Sequence, residues 1–147
     1  MEEYGRIMAL DIGDVRTGVA LSDPMRIIAS PHAVVPMPST DQAIEILCAM
    51  SRETEAVLVV AGLPLNQNGA PGPQAEKVLA FLEQLRQRVD IDIVTQDERF
   101  STAAAERSLI AADMRREKRK KVIDKVAATH ILQAYLDRMS TAKRLKP

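Results

Sequence analysis

An α/β fold, a mixed five-stranded sheet flanked by helices, is predicted for this 147-residue chain by three observations. The first forty residues hold three short apolar runs separated by turn residues, which read as antiparallel strands. Two later apolar runs, AVLVVAG and IDIVT, each follow a stretch of helical periodicity, the alternation of βαβ units. AVLVVAG is also apolar without a break, as in parallel strands buried on both faces.

Residues 6–11 and 17–22 form the first two strands around the turn GDVRTG, and HAVVPM is the third. STDQAIEILCAMSRE is the first helix: Ser39, Thr40 or Asp41 can cap it, and Ala43, Ile44, Leu47 and Met50 recur at helical spacing. After the strand AVLVVAG comes the loop LPLNQNGAPGPQ, where Asn66, Asn68 and Gly69 are the residues tight turns require, although their amides could also face a nucleic-acid backbone. A second helix follows with Val78, Leu79, Leu82, Leu85 and Val89 on one stripe. IDIVTQDER is the next strand, its apolar part ending at Val94, and STAAAERSLIAA is a short helix capped by Ser101 or Thr102. A basic segment leads to the closing helix, from about Val122 to Met139. No repeat or linker divides the chain, so residues 1–140 are expected to form one domain and residues 141–147 a basic tail.

Composition excludes several classes. Aromatic residues make up 3% of the chain, too few for the stacking platforms of passive single-strand binders. A lone cysteine, Cys48, forms no internal disulfide and no cysteine-cluster zinc site, and its apolar helical neighbours make it a reduced core residue. The start MEEYGR has no signal-peptide pattern and no apolar run reaches membrane-spanning length, so a cytoplasmic protein without membrane contact is expected. Net charge is zero, yet six of the seven residues in RREKRKK, 115 to 121, are basic. A phosphate responds to that local density, and Arg115, Arg116, Lys118, Arg119, Lys120 and Lys121 are candidate nucleic-acid contacts.

The acids carry the chemistry. Asp11 follows the apolar run Ile7-Met8-Ala9-Leu10, and an uncompensated buried carboxylate costs several kcal/mol or becomes neutral. Either a bound cation or hydrogen bonds within the Gly13–Asp14 turn can compensate it. Asp97 and Glu98 follow the strand DIVT, and Asp124 lies at the start of the last helix, one turn before the small residues Ala127 and Ala128. At that place the helix dipole alone would favour an acid. Ligands of open α/β sheets gather at the carboxyl ends of strands, and several carboxylates there suit Mg²⁺ or Mn²⁺ and phosphodiester chemistry. Arg16 in the first turn and Arg99 after Glu98 either hold a phosphate or make ordinary surface contacts. His32 and His130 have no spacing suited to metal or triad chemistry, and Asp23 before Pro24 is explained by its turn.

The stretches LDIGDVRTGVALSD, VAGLPLNQNGAPGPQA, TQDERFSTAAAERSL and KRKKVIDKVAATHILQAYL resemble, in order, the motifs of the YqgF or RuvX family, over nearly the whole chain. The resemblance implies a ribonuclease H-like fold and a metal-dependent nuclease whose Mg²⁺ or Mn²⁺ ligands and catalytic residues are Asp11, Glu98 and Asp124. It implies as substrate either structured RNA, in maturing the 5′ end of the small-subunit ribosomal RNA precursor, or branched DNA such as a Holliday junction. RuvC-type resolvases carry a further acid three positions after the helical one, where this chain has Ala127. A monomer would serve RNA processing; symmetric cutting of a junction calls for a homodimer. Two other classes stand beside the nuclease: an actin-like phosphotransferase, which needs a longer two-lobed chain, and a non-catalytic nucleic-acid-binding partner that keeps the fold.

Overall fold

A computed structural model describes residues 4–98 and 116–145, with side chains in the last helix described for residues 126–143. Strand β1 (Arg6–Ile12) lies at the centre of a five-stranded sheet of order β3-β2-β1-β4-β5, which is why Ile7 to Leu10 are apolar without alternation. β2 (Arg16–Ser22) and β3 (Ala29–Pro36) extend the sheet antiparallel on one side. β4 (Ala56–Leu63) and β5 (Asp92–Asp97) lie parallel to β1 on the other. The first hairpin closes through Gly13 N–H donating to Arg16 O at 3.1 Å. A Cβ on Gly13 would stand 2.6 Å from that oxygen, so the turn requires glycine.

The two faces of the sheet have separate cores. Met8, Leu10, Val59 and Ala61 pack with Ile44 and Leu47 of α1 (Thr40–Glu53) and with Val78, Leu82 and Leu85 of α2 (Pro73–Arg86). Ile7, Ala9, Leu58 and Val60 point the opposite way and pack on Ala128, Ile131, Leu132, Tyr135 and Leu136 of α3 (Arg116–Leu145). Each large side chain sealed here contributes about 1.5–3 kcal/mol of burial free energy. α1 is capped by Ser39, whose hydroxyl accepts from Gln42 N–H at 3.2 Å, and α2 opens on Pro73, whose fixed φ suits a first helical position.

Several expected boundaries move. β3 begins at Ala29, earlier than HAVVPM predicts, while β5 lies within the expected IDIVTQDER, its polar end from Thr95 to Asp97 carried by parallel pairing with β4. On α2, Phe81 is buried while Leu79 stays 37% exposed at the edge of the stripe, and Val89 packs against the core from beyond the helix end. The basic run is not a segment before the last helix: from Arg116 onward it forms the first turns of α3, since Arg, Lys and Glu are good helix formers whatever their charge. α3 also runs past Met139 to Leu145, so most of the expected basic tail is helical. The short helix expected over STAAAERSLIAA lies outside the described residues.

The turn between β2 and β3 is held by Asp23, whose carboxylate accepts from Ile27 N–H and Ile28 N–H at 2.8 Å each and from Met25 N–H at 3.1 Å. Those bonds, the one from Ile28 foremost, hold its carboxyl below the usual range. Gln133 of α3 fastens the same segment, accepting from Ala29 N–H at 2.9 Å and donating to Ile27 O at 3.1 Å. Asn66, Asn68 and Gly69 serve their own turn: Gly69 N–H donates to Asn66 O, Ala70 N–H donates to Asn68 Oδ1, and Gly69 has φ 87°.

Candidate active site

The carboxyl ends of β1, β4 and β5 lie side by side, with Leu10 beside Ala61 and Gly62 beside Gln96. Strand alternation then decides which side chains share a face. Asp11 follows Ile7 and Ala9 onto the α3 face, Gly62 follows Leu58 and Val60, and Gln96 follows Val94. Arg16 joins them, because Gly18 pairs with Asp11 and Ala20 is part of the α3-side core. Asp11 and Arg16 are both half-buried, at the rim where core gives way to solvent.

Glu98 comes immediately after β5 and turns back over the sheet. A Cβ on Gly62 would lie 2.9 Å from Glu98 Oε1 and 2.5 Å from Ile131 Cδ1, so the carboxylate rests on the bare backbone of residue 62, under α3. Glu98 Oε1 is itself shielded from solvent. Asp97 goes the other way: it pairs with Leu63, whose side chain packs on the α1/α2 core, and this separates it from the face of Asp11 and Glu98. Asp14, the remaining acid of the first turn, is 3.6 Å from Lys77 of α2 in an exposed ion pair.

α3 brings the third expected acid. Ala127 and Ala128 are fully buried, so the helix backbone approaches the sheet closely, and position 124 lies one turn before Ala128 on the stripe that continues through Ile131 and Tyr135. The side chain of Asp124 lies outside those described, as do those of Arg116, Lys118, Arg119, Lys120 and Lys121; Arg99 and Arg115 lie outside the described residues altogether. Asp124 is not at the start of its helix. It stands more than two turns inside α3, and a helix dipole acts within the first turn, so the dipole does not account for an acid there.

Among the described residues no three His, Cys, Asp or Glu side chains form a metal-binding group; of the expected ligands, Asp11 and Glu98 are described with side chains. The donor set still fits a hard divalent cation: carboxylate oxygens at one end of a sheet, one of them seated over residue 62, which has no side chain. Ala127 contributes a methyl group to the interior and no ligand. Clefts of about 280 Å³ beside Asp14 and Lys77 and about 390 Å³ beside Asp23 and His32 lie away from Asp11 and Glu98. Among the described residues no helix is long and apolar enough to cross a membrane.

Two residues of this region escaped the sequence reading. Gln96 is 3% exposed, and Gly62 is the seat of Glu98. A polar residue in phase with Val94 on an inward strand face was the available signal for Gln96. Nothing in the run AVLVVAG distinguishes its glycine before the β4–β5 register is known.

A family model described as RuvX, Holliday junction resolvase, matches residues 5–138. A protein of Desulforamulus reducens named "Putative pre-16S rRNA nuclease" is 48% identical over 132 residues, 90% of this chain and 96% of its own. One of Clostridioides difficile strain 630 with the same name is 50% identical over 133 residues, 90% of this chain and 94% of its own. Among solved structures, Thermus thermophilus RuvC in complex with a Holliday junction substrate matches with TM-score 0.53 at 13% identity, over 94% of this chain and 98% of that one. The fowlpox virus Holliday junction resolvase matches with TM-score 0.54 at 12% identity, over 90% and 99%. At such identities the likeness is one of fold, and the mixed sheet with helices on both faces is ribonuclease H-like. With a model that spans nearly its whole length and relatives at about half identity, the chain belongs to the RuvX family.

Proposed function

We propose that this protein is a nuclease that hydrolyses phosphodiester bonds and processes the 5′ end of pre-16S ribosomal RNA, with Asp11, Glu98 and Asp124 holding Mg²⁺ or Mn²⁺. The observation that supports the site is that Asp11 and Glu98 both lie on the α3 face of the sheet, at the carboxyl ends of its strands, with Gly62 beneath the glutamate. The names of the relatives support the substrate. A cytoplasmic location accords with it.

A bound divalent cation supplies a water of lowered pKa and neutralises charge on a phosphoryl oxygen. The protein's part is geometric. β1 and β5 fix two carboxylates from separate strands, and the buried alanines of α3 let the helix come close enough to bring a third. In this reading Arg16, on the same face, holds a phosphate of the bound strand, and so does Arg99, which follows Glu98 in the sequence. Arg115, Arg116, Lys118, Arg119, Lys120 and Lys121 lead into position 124, where they attract and orient a polyanion.

The likeness in fold to junction resolvases favours a second reading, cleavage of branched DNA. One experiment separates the two: matched pre-rRNA and four-way-junction substrates with Mg²⁺, Mn²⁺ or chelator, Asp11→Asn beside wild type. Metal-dependent RNA cleavage by wild type, lost in the variant with binding retained, is the expected result. Cleavage of the junction alone moves the assignment to a resolvase. Binding without cleavage under every condition makes the chain a non-catalytic partner, and a variant that cuts at the wild-type rate removes Asp11 from the site.

A further inference from the structure

Gln96 is nearly sealed from solvent, with 3% of its surface exposed, beside a core built mainly from aliphatic side chains. Its Nε2 donates to Ile131 O in α3 at 3.1 Å. Its Oε1, equally buried, has no hydrogen-bond partner among the described residues. A buried amide satisfied at one end only is a poor choice for packing, because the lone acceptor has lost its water. Methionine or leucine at this position would fill the same space without that cost. What the amide makes and apolar packing cannot is the bond to Ile131 O.

Ile131 is the α3 residue that sits over the site. Its Cδ1 is the atom that a Cβ on Gly62 would strike, and Gly62 is the cross-strand neighbour of Gln96. Gln96 therefore ties the helix to β5 at the level where Gly62 admits it to β4. Glu98 is two residues further along from Gln96, and position 124 is two helical turns before Ile131, about 10 Å along the same stripe. An apolar contact lets a helix slide or rise by fractions of an ångström at little cost. A hydrogen bond to a backbone carbonyl is directional and sets the height at one value.

We propose that Gln96 is a positioning residue: by anchoring Ile131 it fixes the height of α3 above β4 and β5, and so sets the separation between Glu98 and helix position 124. The inference rests on the reading of these acids as the metal-binding site. It requires nothing of Gln96 toward substrate.

The test compares wild type with Gln96→Met, which keeps the volume and removes the donor, and with Gln96→Asn, which keeps the amide but is one methylene short of Ile131. Each is measured for melting temperature, for Mn²⁺ affinity by calorimetry without substrate, and for kcat and KM on the cleaved substrate. The expected result is a loss of about tenfold or more in Mn²⁺ affinity for both variants, the usual effect of removing a residue that orients metal ligands. kcat falls with it, KM for nucleic acid stays unchanged, and Gln96→Met melts no lower than wild type. Mn²⁺ affinity and kcat within twofold of wild type in both variants overturn the proposal, and a lowered melting temperature alongside them makes Gln96 a packing residue. A wild-type protein that neither binds Mn²⁺ nor cuts overturns the metal-site reading and this inference together. Failure of Gln96's role alone is seen instead as a working wild type with equally working variants.

Discussion

Gly62 forms the floor beneath Glu98: a Cβ there would lie 2.9 Å from the carboxylate's Oε1, closer than real Cβ contacts allow, and 3.1 Å from its Cδ, tighter than most. Glu98 keeps its place over the sheet because the neighbouring strand has a glycine at that level. Gly62→Ala is therefore expected to damage the site more than the fold. The added methyl pushes against both Glu98 and Ile131, at a stability cost of about 1–3 kcal/mol typical of overpacking, while metal-dependent cleavage falls by orders of magnitude. Denaturant melts beside cleavage rates check it, and a fully active Gly62→Ala protein would show that Glu98 needs no such seat.

Neutralising Lys118, Arg119 and Lys120 together tests the basic start of α3. If they contact phosphates, the slope of log affinity against log salt becomes shallower by about 2 to 3, since each contact releases close to one counterion. The cleavage rate of saturated enzyme is expected to hold, because none of the three is a proposed ligand. Filter binding from low to moderate salt reads the slope, and an unchanged slope would mean that the run is simply a solvated helix start.

Asp23→Ala is expected to lower stability at neutral pH by about 1–2 kcal/mol, the charged acceptor of three backbone N–H groups being removed from a partly exposed turn. The pH dependence has a definite sign. Because hydrogen bonds from Ile28, and then Ile27 and Met25, hold the carboxyl below its ordinary value of 3.8, the charge-dependent stabilisation is complete above that pH. It is lost as pH falls through the lower folded value. Wild-type and Asp23→Ala stabilities should therefore converge on acidification below pH 3.8, and parallel curves would show that the charge contributes nothing.

Gln133→Leu removes the amide that pairs with both Ala29 N–H and Ile27 O. Ile27 O is open to water and Ala29 N–H is only partly so, and a cost of about 0.5–1.5 kcal/mol is expected. Amide exchange at Ala29 should accelerate selectively, with the centre of the sheet unaffected. Uniform acceleration would mean that Gln133 supports the whole fold and not this one turn.

Much of this architecture was legible because β1 and β4 are apolar on both faces and flanked by turn residues. Asp11 stood out for the same reason, as a charge placed after a run that must be buried. Apart from the family resemblance, nothing local separates Asp97 from Glu98: the pairing of Asp97 with Leu63 and the seat of Glu98 over Gly62 put them on opposite faces. The start of α3 is earlier than the apolar pattern suggests because that pattern begins only at Val122, although the basic residue types before it favour helix. Gln96 and Gly62 matter through neighbours distant in sequence, and no local pattern carries such information.

The separate origins of the acids have a consequence during translation. β1 is made before α3, and α3 is both the carrier of position 124 and the cover over Ile7, Ala9, Leu58 and Val60. A chain whose synthesis stops before α3 holds no complete set of acids, and it displays a bare aliphatic surface that invites proteolysis. On the nuclease reading, a truncated product is therefore harmless to the ribosomal RNA around it. The proposed set of acids is complete only once α3 has been made.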